Sequence, residues 1–280
     1  ADARGARAAA RLVRSLAARH GRDGCADALG LHLVGKIVAR RALRSRGALA
    51  GISSAHALND IMQSVILALY PLLKGEFDLG FFQIGAITLT FQLTASLLQP
   101  VVGAVTDRHP FPALLPIGMG FTLSGLLLAV APSYPLVLLA VGLIGCGSST
   151  FHPESSRVAR LASGGRYGFA QSVFQIGGNV GQALGPLLAA FLVLGHGAQG
   201  RAHIAWFGLF ALLAVVILLQ VSRWYRAHLE ERADERAKAH LAATTARFSP
   251  RLVRRTIGVL LVLMFSKFFY LVSISSFYTF

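Results

Sequence analysis

Cysteine and charge are both scarce in this sequence. Two cysteines occur in 280 residues, Cys25 and Cys146. Nothing pairs them or gives them metal-ligand spacing, which excludes a disulfide framework and a thiolate metal centre, and both are expected to be inert thiols. Charged residues make up only 14% of the chain, with 12 acidic against 27 basic. The connecting loops hold no phosphate-binding glycine loop, no metal-ligand cluster and no nucleophile–base arrangement, so neither an enzyme nor a resident cofactor or metal is expected. Gly164–Gly165 reads as a turn between helices. A sequence pI near 11.1 could suggest nucleic acid. The basic residues instead fall mainly into two blocks beside apolar segments, which excludes that partner and points to a lipid bilayer.

What the sequence has in quantity is apolar length. Hydrophobic residues reach 54% and mean hydropathy is +0.59. Seven apolar stretches lie at roughly 52–74, 81–105, 112–131, 134–157, 167–194, 203–222 and 256–280. A bilayer core of ~30 Å is crossed by ~20 apolar residues, so an all-α membrane protein with seven transmembrane helices is predicted. Lys and Arg are abundant from Arg4 to Arg46 and from Arg223 to Arg255, with Arg108, Arg157, Arg160 and Arg166 at other loops on the same side. The opposite loops carry only Lys74 and Arg201. The positive-inside rule then puts the N-terminus in the cytoplasm and the protein in the inner (plasma) membrane. Trp206 and the pair Trp224–Tyr225 are expected to mark the two interfaces of the sixth span.

Four segments follow from this reading. Residues 1–46 form a basic cytoplasmic stretch of doubtful origin, 47–222 a six-helix transport half, 223–255 a basic cytoplasmic linker and 256–280 the seventh helix. The chain stops at Phe280, where that helix should reach the far interface, and a fragment is expected.

Polar residues inside the spans form stripes. His56, Asn59, Asp60 and Gln63 in the first span share one helical face, as do Thr88, Gln92, Ser96 and Gln99 in the second. The fourth carries Ser148, Ser149, His152, Glu154, Ser155, Ser156 and Arg157, and the fifth Gln171, Gln175, Asn179 and Gln182. The third and sixth are almost bare. For a single Gln or Ser, an interhelical hydrogen bond of ~0.6–2 kcal/mol is explanation enough. Four stripes together predict a shared hydrophilic cavity, with the bare spans facing lipid. Phe91–Gln92 with Pro100, and Phe174–Gln175 with Pro186, suggest a weak three-span repeat.

The segments His56–Phe77, Ile87–Gly103, Gly145–Arg166, Phe169–Ala190 and Phe265–Phe280 carry a resemblance. Over about residues 48–280 the chain resembles the major facilitator superfamily and, within it, the fosmidomycin-resistance type of efflux protein, most specifically in the run FHPESSRVAR, Phe151–Arg160. That resemblance implies twelve spans in two six-helix halves, so the chain is expected to hold the first half, the central loop and span seven. The superfamily's loop motif G-x-x-x-D-R stands as Gly103, Asp107 and Arg108, but His109–Pro110 replaces its usual glycine and basic continuation, which is expected to weaken a gating latch. The motif G-x-x-x-G-P, associated with drug antiporters, stands as Gly181, Gly185 and Pro186. The usual fourth-span R-x-x-x-G motif is replaced by the His152–Arg157 segment.

Ionisable residues within spans are costly, ~2.5–3.5 kcal/mol at a helix centre, and so point to function. Asp60 or Glu154, with His56 or His152 nearby, is expected to take up and release a coupling proton. Arg157 and Lys267 are expected to attract an anionic group of a phosphonate-like small molecule. Asn59, Gln63, Gln92, Gln99, Gln175 and Asn179 complete the expected substrate site. The antiparallel first and fourth spans are expected to bring Asp60 near the Glu154–Arg157 pair. A proton-coupled drug exporter acting by alternating access as a monomer is the leading expectation. An uptake symporter for an anionic metabolite, or a non-transporting truncated membrane protein, remains an alternative.

Overall fold

Apolar residues at helical spacing dominate the chain, and every regular element among the described residues is a helix. The computed structural model describes residues 24–130, 132–239 and 249–277. In chain order the helices are α1 (Gly24–Ala68), α2 (Tyr70–Glu76), α3 (Phe81–Gln92), a π-helical turn (Leu93–Leu97), α4 (Leu98–Arg108), α5 (Leu114–Leu128), α6 (Tyr134–Ala162), α7 (Tyr167–Leu192), a 3-10 segment (Leu194–Trp206), α8 (Phe207–Ala239) and α9 (Pro250–Phe277).

Among the described residues, four helical stretches are long and apolar enough to cross a membrane: Phe81–Arg108, Tyr134–Ala162, Tyr167–His196 and Ala202–Glu231. The third expected span is the shorter helix Leu114–Leu128. Three boundaries differ from expectation. The first span has no start at 52, because α1 is already helical at Gly24, and it breaks at Leu69 before Pro71 in the first turn of α2. A proline there has no N–H to lose and fixes φ for a new helix start. The sixth span enters through the 3-10 segment and runs on to Ala239, so much of the expected linker 223–255 is helix. Residues 1–23 and 278–280, on which parts of the expected tail and seventh span fall, lie outside the described residues.

Small residues decide how these helices approach. α7 lies against α1 through Gly177, Gly178, Gly181 and Gly185. A methyl group built on Gly177 or Gly181 would overlap the carbonyl oxygen of Ser53 or Ala57, and one on Gly185 would overlap the Ser64 hydroxyl. α5 and α6 are joined in the same way, Gly118 and Gly147 opposing each other's backbone with Thr150 and Thr122 alongside. Without a hydrophobic drive between helices in lipid, such backbone proximity supplies the dispersion contacts that hold a bundle together. α1 and α6 are the most enclosed elements, burying Ile52, Ala55, Met62, Ile144, Phe151 and Val158. The π-turn sits where Thr94 meets Gly145, just ahead of Pro100, which cannot donate to the helical ladder.

The bare fifth and eighth helices present Ile117, Phe121 and Leu127, and Leu209, Leu212, Leu213, Val216 and Leu219, at the surface. No described side chain of α9 is buried. The three-span repeat is only partial in three dimensions, since α7 is α-helical throughout Tyr167–Leu192 where its counterpart carries the π-turn.

The glycine contacts generate a prediction. Gly181→Val is expected to destabilise the purified protein by about 1–3 kcal/mol or more through overpacking against α1. Gly168→Ala, at a position with nothing within 4 Å, is expected to be neutral or stabilising by about 0.4–1 kcal/mol. Thermal unfolding in detergent reads both, and similar values for the two variants would argue against the close α1–α7 contact.

Candidate functional site

The polar face of α1 meets α6 and α7 in the middle of the bundle. His56 and Asp60, one turn apart, are 3% and 4% exposed, and Asn59 is fully buried. His56 Nδ1 lies 2.8 Å from the carbonyl oxygen of Phe174, whose ring stacks on the imidazole at 4.1 Å between centroids. That carbonyl can only accept, so Nδ1 carries the hydrogen and donates it. His56 Nε2 then points at Asp60 Oδ2 across 3.4 Å. Asn59 Nδ2 donates to Asp60 Oδ1 at 3.1 Å, and Gln182 Nε2 donates to Asp60 Oδ2 at 3.1 Å. From α6, the His152 ring stands edge-on to His56 at 5.2 Å. Among the described residues no Lys or Arg pairs with Asp60.

The expected approach of Asp60 to Glu154 and Arg157 takes a different form. His152, not Glu154, is the α6 residue at Asp60, and the Glu154–Arg157 pair belongs to a second cluster further along α6. Arg157 Nη1 donates to Glu154 Oε1 at 2.7 Å and to the Thr106 carbonyl at 2.7 Å, while Nη2 donates to Thr106 Oγ1 at 3.2 Å and pairs with the Asp107 carboxylate. Glu154 is 0% exposed and Asp107 75%. Tyr225, fully buried on α8, lies close to Glu154 and Arg157, but its hydroxyl has no hydrogen-bond partner among the described residues. The guanidinium thus joins α4 and α6 around one buried carboxylate, with Tyr225 of α8 alongside. Asp107 of the loop motif is therefore engaged despite the unusual His109–Pro110 continuation. Arg108 and Gly103 flank it, Arg108 exposed and Gly103 facing Pro153.

The remaining candidates are spread. Gln63 Oε1 accepts from Ser148 Oγ at 3.2 Å, and Gln92 Oε1 from Ser96 Oγ at 3.2 Å. Asn59 Oδ1 and Gln63 Nε2 are buried without a partner among the described residues. Gln99 is half-buried, and Gln175, Asn179 and Pro186 lie on the exposed face of α7 while Gly181 and Gly185 face α1. Lys267 is exposed on α9.

Sequence reading missed Tyr225. Counting spans placed it beyond the sixth and assigned it to an interface belt, yet it is 0% exposed and turned inward. Trp224 stacks on His228 and Trp206 is 57% exposed. The signal available was the helix-compatible run past Arg223, free of Gly and Pro, that carries α8 onward. Gln182 was visible as part of a stripe but not as the ligand of Asp60.

A bundle of apolar helices whose interior holds paired ionisable and amide side chains has the character of a multi-pass membrane protein. The chain belongs to the major facilitator superfamily, whose family description matches residues 52–280. It is 58% identical over 242 residues to the fosmidomycin resistance protein of Escherichia coli, covering 86% of this chain and 58% of that protein. It is 41% identical over 203 residues to the uncharacterized MFS-type transporter YfnC of Bacillus subtilis, covering 72% and 49%. The chain spans about half the length of these curated relatives. A crystal structure of a peptide transporter in complex with alafosfalin shares the fold with a TM-score of 0.51 at 15% identity, covering 80% of this chain and 46% of that one.

The arginine cluster yields the second prediction. Arg157→Gln leaves Glu154 buried and unpaired and is expected to cost about 3–5 kcal/mol. Glu154→Gln in the same background should recover most of that loss, and Asp107→Asn, at an exposed carboxylate, should cost less than about 1 kcal/mol. A double-mutant cycle of unfolding midpoints checks this, and additive single effects would remove the Glu154–Arg157 coupling.

Proposed function

We propose that the chain is part of a proton-coupled exporter of small anionic drugs, fosmidomycin or compounds like it, acting by alternating access in the plasma membrane with its N-terminus in the cytoplasm. The observation that carries the coupling is a carboxylate, Asp60, held 4% exposed between helices with histidines as its neighbours and, among the described residues, no Lys or Arg partner. Charge there is costly, so gain or loss of a proton is the cheapest change the site can make. The drug class rests on the relationship to the fosmidomycin resistance protein.

In this reading residues 47–222 are a six-helix transport half, 223–255 a connection and 256–280 the seventh helix. His56 and His152 share the proton with Asp60. Glu154 is the second carboxylate, tied through Arg157 to Asp107, and this ionic link holds α4 and α6 together on the cytoplasmic side. Arg157 meets a substrate anion only in a conformation that releases Asp107, whereas Lys267 on α9 supplies a second positive charge. Asn59 Oδ1 and Gln63 Nε2 are buried polar atoms suited to a small hydrophilic ligand. Gln92, Gln99, Gln175 and Asn179 extend that surface, Gly181 and Gly185 set the close approach of α7 to α1, and Pro186 interrupts the helical ladder beside them. The protein works as a monomer.

The test is fosmidomycin resistance of a sensitive bacterial host expressing the gene, with and without a protonophore. Resistance that disappears when the proton gradient collapses is expected, and Asp60→Asn should reduce it to the empty-vector level at unchanged membrane expression. Lys267→Ala should lower resistance to fosmidomycin more than to an uncharged compound. Full gradient-dependent resistance in Asp60→Asn and Glu154→Gln together would remove the proton assignment.

A further inference from the structure

The cluster at His56, Asp60 and His152 has a second chemical capacity. These three residues each offer one ligand atom, and the three atoms lie within 4.8 Å of one another. Two come from one face of α1 at i and i+4, and the third from α6, so no local sequence motif announces the set. We propose that it is a binding site for a divalent cation of the zinc class, with His56 Nε2, Asp60 Oδ2 and a His152 ring nitrogen as ligands.

Geometry supports this in three ways. First, the hydrogen bond from His56 Nδ1 to the Phe174 carbonyl leaves Nε2 as the ring nitrogen that faces the carboxylate and is placed to ligate. Two electron-rich atoms facing each other can share a positive species, either a proton or a metal ion. A backbone carbonyl on the far ring nitrogen is also the usual outer-sphere partner of a metal-bound histidine. Second, the Nε2–Oδ2 separation of 3.4 Å exceeds the ~2.7–2.9 Å of a charge-assisted hydrogen bond. It matches the edge of about 3.3 Å that two ligands adopt at ~2.0–2.1 Å from a tetrahedral ion. Third, the ligands are braced. Asn59 and Gln182 donate to the two Asp60 oxygens, and Phe174 stacks on His56. Gly178 lies against the cluster, where a methyl group would come within 2.5 Å of His56 Cε1, 2.6 Å of Nε2 and 3.0 Å of Asp60 Oδ2.

Imidazole and carboxylate ligands suit zinc and its neighbours and not the hard cations magnesium or calcium. Three protein ligands leave a fourth position for water or an anionic oxygen. The cation and the coupling proton would compete for the same lone pairs, but binding itself does not depend on transport.

The test is equilibrium binding of Co²⁺ and Zn²⁺ to the purified chain in detergent, with Co²⁺ visible absorption as the readout and Mg²⁺ as a control. One equivalent of Co²⁺ with a four-coordinate spectrum, displaced by Zn²⁺ and not by Mg²⁺, is expected. His152→Gln and His56→Gln should each weaken binding by at least about tenfold. His196→Gln/His203→Gln, which removes a stacked histidine pair outside the cluster, should leave it unchanged. No binding by a helical, monodisperse protein, or binding that survives the His56 and His152 changes, would overturn the proposal. Since no transport is measured, that failure leaves the proton reading standing. Gradient-driven export by Asp60→Asn together with lost Co²⁺ binding would sink the proton reading and keep this one.

Discussion

Backbone contact between α1 and α7 is the constraint from which the interior follows. Four glycines on α7 bring its axis close enough for the carbonyls of Ser53 and Ala57 to occupy the space that side chains would fill. At that distance the Phe174 carbonyl reaches His56, and Gln182 reaches Asp60. A helix pair held further apart would leave Asp60 with only Asn59 beside it. An ionisable side chain in hydrocarbon survives only with partners, and lipid offers none. The small residues therefore support the charge indirectly. They contribute little energy through any one contact, but they determine whether the polar groups can meet.

The second cluster works on a different principle. Arg157 presents a planar fork of donors, and three of its hydrogen bonds end on α4 residues or their backbone while one ends on Glu154 of its own helix. The buried Glu154 makes the fork costly to remove, and the exposed Asp107 makes it easy to release at one edge. Such asymmetry suits a link that must open without unfolding the bundle. Both clusters share α6, with Pro153 between His152 and Glu154. The missing N–H of that proline interrupts the ladder at the point where a bend would alter both sites.

The sequence revealed this architecture unevenly, for physical reasons. Span positions were readable because twenty apolar residues have no other stable use, and the polar faces were readable because helical period sorts them. Gly181 and Gly185 were legible as a packing motif for the same reason. Helix ends were not legible: α1 begins before its apolar run although Gly30, Gly35, Gly47 and Gly51 lie in that stretch, whereas α8 outlasts its own because continuing a helix costs little where no Gly or Pro intervenes. Tyr225 was misassigned for that reason alone. Partner choice was also hidden. Periodicity places Asp60 and Glu154 on inward faces but cannot set the vertical register of α1 against α6. That register decides that His152, one short step along the helix, meets Asp60, and that Arg157 turns to α4.

Two kinds of exposed surface remain, and they carry opposite implications. α8 presents Leu209, Leu212, Leu213, Val216 and Leu219, side chains for which lipid is as good a solvent as protein. α7 presents Gln171, Gln175, Asn179 and Gln182, each with amide groups that hydrocarbon cannot satisfy. Only Gln182 turns a donor back onto a buried acceptor, Asp60. The amide-bearing face of α7 must therefore look onto water, a polar ligand or other protein, while the leucine-bearing face of α8 looks onto the bilayer. Since Gln182 belongs to both the open stripe and the buried carboxylate, it is the shortest connection between whatever occupies that polar face and the charge state of Asp60. A ligand that drew the Gln182 amide away would withdraw one of the two donors on Asp60, so an event on the open face would reach the core through a single side chain.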